Sequence, residues 1–360
     1  MTAPPATSHD RANARPVVIL GGGLTGLSLG LALRRAAVPV TLHEAGDYPR
    51  HRVCGEFIAG LDARTIQRLE LAPFLADARQ HTQVAWYHRA TLRSRHTLPA
   101  PALAIDRHRL DQRLATAFLA AGGTLLTRSR HTLTEDAPGH VFAHGRRPAA
   151  NSPWLGLKCH ARGIPLNSDL EMHLGTRAYV GLCALDNGWI NVSGLFHQRT
   201  VVAEDRASIL PAYLRSAGLT TLANRLAAAE IAPASHCAIA GLDFGRPPNR
   251  ACPATSSAGL RLGLGDSVTP IPPFTGNGMA MAFQSAALAL DPLLAWTRGA
   301  AEWPATVATI QHRLRRHFRT RLATARLLHP ALLHPAGQRT LTTLAHAGLL
   351  PFNRLYRLLH

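Results

Sequence analysis

Lysine is almost absent from this sequence, in which Lys158 is the single lysine among 39 basic residues. Acidic residues are scarce as well, 21 against 39 basic ones, and the formal net charge is therefore +18. A basic field of this size attracts nucleic acid, anionic lipid and anionic small molecules alike, so it does not choose among them. The arginines are dispersed, and no helix-turn-helix, zinc or RNA-binding motif accompanies them, which argues against specific nucleic-acid binding.

Cysteine is also rare, and the cysteines have neither the paired spacing of a metal site nor that of a disulfide framework. We therefore predict no metal ligands and a reducing, cytoplasmic location. Long apolar runs are missing too: none reaches the ~18 residues of a membrane span, and residues 1–16 lack the apolar core of a signal peptide. The cysteines are Cys54, Cys159, Cys183, Cys237 and Cys252.

The sequence does contain enough apolar material for a packed interior. Apolar residues make up 46% of the 360 residues and charged residues 17%, a balance that is typical of globular proteins and not of disordered chains. At roughly 100–200 residues per domain, the length predicts two domains and excludes a disulfide-stapled miniprotein.

A glycine-rich turn lies between a strand pattern and a helix pattern near the start of the chain. The apolar run Val17–Leu20 predicts a buried parallel strand, residues 24–36 favour a helix, and residues 38–43 predict a second strand. This order predicts one β-α-β unit.

Three glycines in that turn, Gly21, Gly23 and Gly26, have the spacing of a dinucleotide-binding fingerprint. We expect the first to allow a tight turn, the second to let a pyrophosphate approach the backbone, and the third to allow close packing of helix against strand. Glu44 lies 18 positions beyond Gly26, at the end of the second strand, and would accept hydrogen bonds from ribose hydroxyls. The alternative is a structural turn without a ligand.

A second glycine-rich segment follows a predicted strand at residues 260–264. Prolines stiffen the loop after Asp266, and small residues from Gly276 onwards expose backbone N–H groups at the start of a helix. Such a helix end would stabilise the negative charge of a reduced flavin, while Asp266 could hold a ribityl hydroxyl. An ordinary capped helix after a turn is the alternative.

Together the two segments resemble the FAD-dependent oxidoreductases that include aromatic hydroxylases, flavin halogenases and geranylgeranyl reductases, and most closely the geranylgeranyl reductase-like branch. The resemblance covers residues 17 to about 286. It implies an α/β fold in which a Rossmann-like FAD-binding domain carries an inserted antiparallel β-sheet substrate domain and a helical C-terminal region. The expected parts are a disordered arm at 1–15, the FAD-binding domain at 16–80, 100–150 and 255–300, the substrate domain at 81–99 and 151–254, and C-terminal helices at 301–360.

A third stretch, residues 49–56, is similar to the arginine/lysine–Cys–Gly–Glu run that passes beside the cofactor in this branch. The resemblance implies that Arg50 or Arg52 meets the pyrophosphate and that Cys54 and Gly55 lie near the isoalloxazine. Arg107 resembles the arginine of a helix beneath the cofactor; a helix cap at Asp106 with exposed arginines is the alternative. The cofactor contacts expected overall are Gly21, Gly23, Leu24, Thr25, Gly26, Glu44, Arg52, Cys54, Gly55, Arg107, Gly265, Asp266, Gly276, Asn277, Gly278 and Met279.

The sequence also departs from these relatives. Residues 144–147 read His-Gly-Arg-Arg where most relatives carry an Asp-Gly pair that contributes to nicotinamide handling, so NAD(P)H is kept only as one candidate electron donor. The Trp-x-Trp-x-Ile-Pro run of the halogenases is missing. Residues 179–182 stand where geranylgeranyl reductases have an aromatic lipid motif, so isoprenoid specificity is not inherited.

The inserted sheet carries polar residues in alternation. Lys158 and His160 fall on one face of their strand and Cys159 on the other, and Glu171 and His173 alternate in the same way. We predict that this polar face is solvated; the alternative is that it covers the substrate cavity. Lys158 and Cys54 are the two candidate catalytic residues, although an isolated cysteine is usually inert packing.

The C-terminal region, from about residue 291, is predicted to be helical with breaks at its prolines, which are Pro292, Pro304, Pro330, Pro335 and Pro351. Phe352, Tyr356 and Leu359 fall on one side of a basic amphipathic helix. We expect this helix to pack on its own domain, and peripheral contact with an anionic membrane is the alternative.

The function that these features favour is that of an FAD-dependent oxidoreductase, with a monooxygenase acting on an aromatic, polyketide-like or lipid small molecule placed first. The second reading is a flavin-dependent reductase of a C=C bond in a lipid or isoprenoid-like substrate. The third is a flavin-fold protein that has lost catalysis and binds a lipid. In each case the partner is an apolar or aromatic small molecule.

Overall fold

The computed structural model describes residues 14–130, 137–244 and 261–360. Most of the expected N-terminal arm, Cys252 and residues 255–260 lie outside these ranges. The predicted β-α-β unit is confirmed as β1 (Val17–Leu20), α1 (Leu24–Arg35) and β2 (Val40–His43), with β1 and β2 paired in parallel.

The first sheet has five strands in the order β14-β7-β1-β2-β6, and every neighbouring pair is parallel. The helix α1 packs on β1 and β2 and also contacts the helix α4 that follows residue 106 and the helix that begins at Gly278. This is the Rossmann-like arrangement that the sequence predicts. The bounds of the other elements in this sheet and beside it are α4 (Arg107–Ala120), β6 (Thr124–Leu126), β7 (His140–Phe142) and β14 (Leu262–Gly263).

The second sheet has nine strands in the order β12-β8-β11-β10-β9-β4-β5-β3, with β13 also paired to β8. All its pairs are antiparallel except β4 with β9, so the predicted antiparallel sheet is confirmed apart from that pair. The strands are β3 (Phe57–Ile58), β4 (Arg79–His88), β5 (Thr91–Ala104), β8 (Trp154–Arg162), β9 (Leu170–Gly175), β10 (Ala178–Ala184), β11 (Ile190–His197), β12 (Glu230–Ile231) and β13 (Cys237–Ala240).

Two pairs of short helices occur elsewhere in the described residues. The pair α5 (Ile209–Ser216) and α6 (Thr220–Ala227) covers one face of the second sheet. Earlier in the chain, α2 (Ala63–Arg68) and α3 (Ala72–Leu75) are separated by a short interruption. The interruption falls at Glu70, whose φ of +50° is incompatible with a right-handed helix.

The C-terminal helices differ from the prediction at two prolines. Pro292 lies inside a continuous helix and Pro330 inside another, whereas the other three prolines do stand at helix starts. An internal proline costs one hydrogen bond and about 3 kcal/mol, and the burial of these long helices offsets that cost. The helices are α7 (Gly278–Thr297), α8 (Trp303–Leu333), α9 (Pro335–His346) and α10 (Phe352–Leu359).

The last helix, α10, packs its apolar side against the protein, since Tyr356 and Leu359 are buried next to β5 and α8. The helix α10 therefore packs on β5 and α8 of the same chain. Within the described residues, α7 alone has the length and apolar composition of a membrane span, and most of it is buried, as in the core helix of a folded domain.

Candidate cofactor-binding site

The glycines of the first turn have the geometry that the sequence predicts. Gly21 has a φ of +113°, and a Cβ atom there would lie 2.4 Å from the carbonyl oxygen of Ala143. A Cβ at Gly26 would lie 2.0 Å from the carbonyl oxygen of Gly21, so helix and strand pack in close contact. A Cβ at Gly23 would meet no atom within 4 Å, which leaves the backbone open to a ligand.

The two glycine-rich segments, far apart in sequence, are in contact. The Thr25 hydroxyl donates to the carbonyl oxygen of Ala282 at 3.2 Å. A Cβ at Gly265, whose φ is +61°, would lie 2.5 Å from Thr25 Oγ1. The two segments therefore lie side by side in the fold.

Residues that directly follow the third segment contact the second glycine-rich segment. The backbone N–H of Ala59 donates to the carbonyl oxygen of Gly276 at 3.2 Å, and a Cβ at Gly276 would lie 2.5 Å from the Phe57 ring. A Cβ atom at Gly55 or Gly278, as at Gly23, would have no protein atom within 4 Å. Each of the three segments thus contributes one glycine with free space beside it.

Neither helix that starts in these segments has a side-chain cap. Gly23 precedes α1 and Asn277 precedes α7, and no side chain accepts a hydrogen bond from the first backbone N–H groups of either helix. The positive ends of both helix dipoles are therefore available to an anionic ligand. A diphosphate at α1 and the anionic edge of a reduced flavin at α7 fit these ends.

Glu44 lies at the end of β2, as predicted, but its carboxylate already has four donors. Oε2 accepts from the N–H of Gly22 at 2.9 Å and from Arg52 at 3.3 Å; Oε1 accepts from the N–H of Gly46 at 2.9 Å and from Arg50 at 2.6 Å. Burial would raise the pKa of Glu44, but the two arginines and the backbone donors hold it below its ordinary value. A ribose hydroxyl would have to replace an arginine.

Arg107 is buried, so the alternative of an exposed arginine after the Asp106 cap is wrong, although Asp106 does accept from the N–H of His108. Its guanidinium donates to both carboxylate oxygens of Asp111, at 2.8 and 2.9 Å, and lies 3.8 Å from Cys54 Sγ. Burial alone would lower the pKa of Arg107, but Asp111 raises it above the ordinary value.

Two residues that the sequence did not single out, Asp111 and Tyr48, also make contacts in this region. Arg52 also donates to Asp111 at 3.2 Å, so it links that carboxylate to Glu44 and does not extend freely toward a pyrophosphate. The Tyr48 hydroxyl donates to the carbonyl oxygen of Gly22 in the first glycine turn. Asp111 could have been found from its four-residue spacing to Arg107; nothing in the sequence marks Tyr48.

Asp266 follows β14 in a short helical turn, and its carboxylate lies 3.5 Å from Arg146 Nη2. Burial raises the pKa of Asp266, an effect that Arg146 and Arg107 oppose. Arg146 also donates to the carbonyl oxygen of Ile271 and stacks over the Phe244 ring at 4.4 Å. The stretch that replaces the Asp-Gly pair of the relatives therefore places an arginine beside Asp266.

Three of the expected contacts do not offer their side chains. The Asn277 amide is fully buried and donates to the carbonyl oxygen of Leu359 in α10. The side chains of Leu24 and Met279 belong to the apolar core of the first domain. These residues can contribute only backbone N–H groups, which is how the helix N-termini would use them.

The predicted solvation of Lys158 and His160 is wrong. Only 1% of Lys158 and 4% of His160 is exposed. Lys158 Nζ lies 2.5 Å from Glu56 Oε1, and His160 Nε2 lies 2.6 Å from Glu56 Oε2. Burial would raise the pKa of Glu56, but Lys158 and His160 outweigh it and lower the pKa to about 2.

Glu171 and His173 are also buried, but on the opposite face of the sheet. Glu171 Oε2 lies 3.0 Å from both His173 Nε2 and Arg225 Nη1 of α6. The strand register aligns Glu171 with Cys159 through the intervening strands, whereas Lys158 aligns with Met172. The four polar residues therefore do not form one polar face.

An apolar cavity of about 130 Å³ lies between the Lys158 face of the second sheet and the C-terminal helices. It reaches Phe274 and Thr275, which immediately precede the glycines at the start of α7. Lys158 and Cys54 are not among its lining residues. The cavity walls include Phe57, Trp86, Met172, Phe274, Leu332 and Tyr356.

No protein-family model matches the chain, and no curated protein is similar to it. Solved structures are similar over nearly the whole length. The p-nitrophenol 4-monooxygenase PnpA from Pseudomonas putida has a TM-score of 0.71 at 13% identity, covering 96% of this chain and 97% of PnpA. PqsL from P. aeruginosa, in complex with 2-aminobenzoylacetate, has a TM-score of 0.67 at 16% identity and covers 93% and 98%.

A geranylgeranyl bacteriochlorophyll reductase-like protein from Thermoplasma acidophilum is similar to the same degree. Its TM-score is 0.68 at 14% identity, covering 92% of this chain and 91% of that protein. At identities this low, the structural similarity establishes the fold alone. That fold is a parallel α/β domain with an inserted sheet and C-terminal helices, as the sequence predicts.

Proposed function

We propose that this protein is an FAD-dependent oxidoreductase, and specifically a monooxygenase that acts on an apolar or aromatic small molecule. The observation that carries the proposal is the convergence of two helix N-termini without side-chain caps beside Gly23, Gly55 and Gly278, where no atom fills the Cβ position. FAD suits such a site because it is anionic at its diphosphate and, once reduced, at its flavin ring.

Each segment would bind a different part of FAD. The first amides of α1 would hold the diphosphate, Asp266 a ribityl hydroxyl, and the N-terminus of α7 the N1 and C2-carbonyl edge of the flavin. Glu44 would accept ribose hydroxyls once Arg50 or Arg52 turns away. Bound FAD supplies the electron pair and the centre at which oxygen is activated.

The candidate catalytic residues take different roles in this proposal. Cys54 is next to the open Gly55, so we assign it a contact with the flavin. Lys158 pairs with Glu56 and does not line the cavity, so we assign it the positioning of the 54–56 segment. The apolar cavity would hold the substrate and exclude water from the reaction.

Support for oxygenation over reduction comes from the neighbours of the same fold. PnpA is named for p-nitrophenol, PqsL has 2-aminobenzoylacetate bound, and both compounds are aromatic; another structure of PqsL is described as a probable FAD-dependent monooxygenase. The reductase-like neighbour keeps reduction of a C=C bond as the second candidate.

The first prediction concerns the purified protein. We expect it to be yellow, or to become so on reconstitution with FAD, and to consume oxygen in step with an aromatic substrate when NAD(P)H supplies electrons. A visible spectrum, an oxygen electrode, and anaerobic rapid mixing with NADH and NADPH measure these three properties.

Two other results would redirect the proposal. Saturation of a substrate double bond under strict anaerobiosis would favour the reductase. A colourless protein that FAD cannot reconstitute would favour a non-catalytic lipid-binding protein.

The location that we propose is the cytoplasm. The four cysteines within the described ranges are all free, as expected in a reducing compartment. If α10 contacts a membrane, it would use its exposed side, because its apolar side is already packed.

A further inference from the structure

The apolar cavity lies next to a groove on the protein surface. The groove has a volume of about 690 Å³ and lies between residues 93–96 of β5 and residues 345–354, which include the start of α10. Cavity and groove adjoin each other, because five residues line both of them. These shared residues are Arg93, Ser94, Ala345, Leu350 and Phe352.

The groove is basic, and its charges are not neutralised by the protein. Arg93, Arg95 and Arg354 line it together with uncharged residues and His96, and no acidic residue does. Within the described part of the chain, none of the three arginines forms an ion pair, and Arg93 Nε is shielded from water without a hydrogen-bond partner. Arg113, by contrast, is paired with Asp77 elsewhere on the surface.

An unpaired arginine that has lost part of its hydration is stabilised by an anion. Its planar guanidinium donates two parallel hydrogen bonds to a carboxylate. A guanidinium therefore binds a carboxylate with better geometry than a point cation such as an ammonium group does. Arg93, one of whose guanidinium nitrogens is shielded from water, and the exposed Arg95 and Arg354 together match a molecule with an apolar body and one anionic end.

The cavity and the groove have different surroundings at their far ends. The inner end reaches Phe274 and Thr275 at the start of the proposed flavin site, and the outer end has the arginines. An apolar cavity of about 150 Å³ binds one benzene ring in another protein, so about 130 Å³ accommodates a single ring or a short acyl chain.

We propose that cavity and groove together bind an amphipathic carboxylate, with its apolar end toward Phe274 and its carboxylate on Arg93 and Arg354. The assignment of the inner end as the reacting end rests on the function proposed above. The binding itself does not require a flavin.

The test compares a matched pair of probes, 6-phenylhexanoate and 6-phenylhexan-1-ol, by isothermal titration of the purified protein. We expect the carboxylate to bind at least ten times more tightly than the alcohol. We expect the double variant Arg93→Gln/Arg354→Gln to lose that preference while its affinity for the alcohol changes less than twofold.

The control is Arg313→Gln/Arg316→Gln, which removes the same charge from exposed positions of α8. It should keep the preference of the parent. Equal affinities of the parent for the two probes, binding of neither probe, or an equal loss in the control variant would each overturn the proposal. Binding of neither probe together with arginine-dependent flotation on phosphatidylglycerol vesicles would assign the groove to a membrane surface instead.

Failure of this proposal is separable from failure of the proposed function. Carboxylate binding that depends on Arg93 and Arg354 without oxygen-coupled turnover would contradict only the monooxygenase. Oxygen-coupled turnover of substrates without any preference for an anionic group would contradict only the carboxylate site.

Discussion

Replacement of Gly23 by valine is expected to abolish FAD binding without destabilising the protein. A Cβ atom at this position meets no protein atom within 4 Å, and the backbone there is extended, with φ of −82° and ψ of −173°, a conformation that valine readily adopts. Its methyl groups would occupy the space through which a diphosphate reaches the first amides of α1. We expect at least a 100-fold loss of affinity, about 3 kcal/mol, measured by titration of apoprotein with FAD, and an unchanged melting temperature.

The matched control is Gly26→Val in the same turn. A Cβ at Gly26 overlaps the carbonyl oxygen of Gly21 at 2.0 Å, so this variant should lose stability first and FAD binding only as a consequence. Parental FAD affinity in Gly23→Val would show that the N-terminus of α1 does not hold the diphosphate.

The first glycine turn could be predicted from sequence because its requirements are local. The left-handed backbone of Gly21 and the close contact of Gly26 both arise within one strand, one turn and one helix. A short pattern in the sequence therefore specifies the geometry almost completely.

The surroundings of Lys158 and His160 could not be predicted in this way. Alternation along β8 assigns both to one face, but it does not say what covers that face. The partner is Glu56, about a hundred residues earlier in the chain, and only the assembled sheets bring it there. A polar alternation in a strand is compatible with solvent and with a buried ion pair alike.

The contact between Arg146 and Asp266 is non-local for a related reason. Arg146 follows β7 and Asp266 follows β14, and these two strands are parallel neighbours, so the segments after them emerge at the same edge of the sheet. The sequence alone leaves the strand order open. With the order β14-β7-β1 known, the proximity of the two residues follows.

The buried pair of Glu56 and Lys158 leads to the second large prediction. Glu56→Gln removes the counter-ion of a lysine that is 1% exposed, and loss of one partner of a buried ion pair costs about 3–5 kcal/mol. The double variant Glu56→Gln/Lys158→Met removes both charges and should recover most of the loss. Chemical denaturation of the parent, both single variants and the double variant measures this coupling.

The control is Glu70→Gln. Glu70 pairs with Arg35 at 3.3 Å, but 65% of the Glu70 side chain is exposed, so its loss should cost less than about 1 kcal/mol. Equal, small losses in Glu56→Gln and Glu70→Gln would contradict the buried pair.

The same pair predicts a dependence on pH. The pKa of Glu56 is about 2 in the folded protein and 4.5 ordinarily, so the unfolded chain binds the proton more readily. The stabilisation is therefore complete above pH 4.5 and is lost as the pH falls toward 2. The difference in unfolding free energy between the parent and Glu56→Gln should shrink over that interval. Because Glu56 directly follows Cys54 and Gly55, FAD affinity should weaken together with the stability. A variant that loses stability while its FAD affinity stays at the parental value would show that the ion pair is independent of the cofactor site.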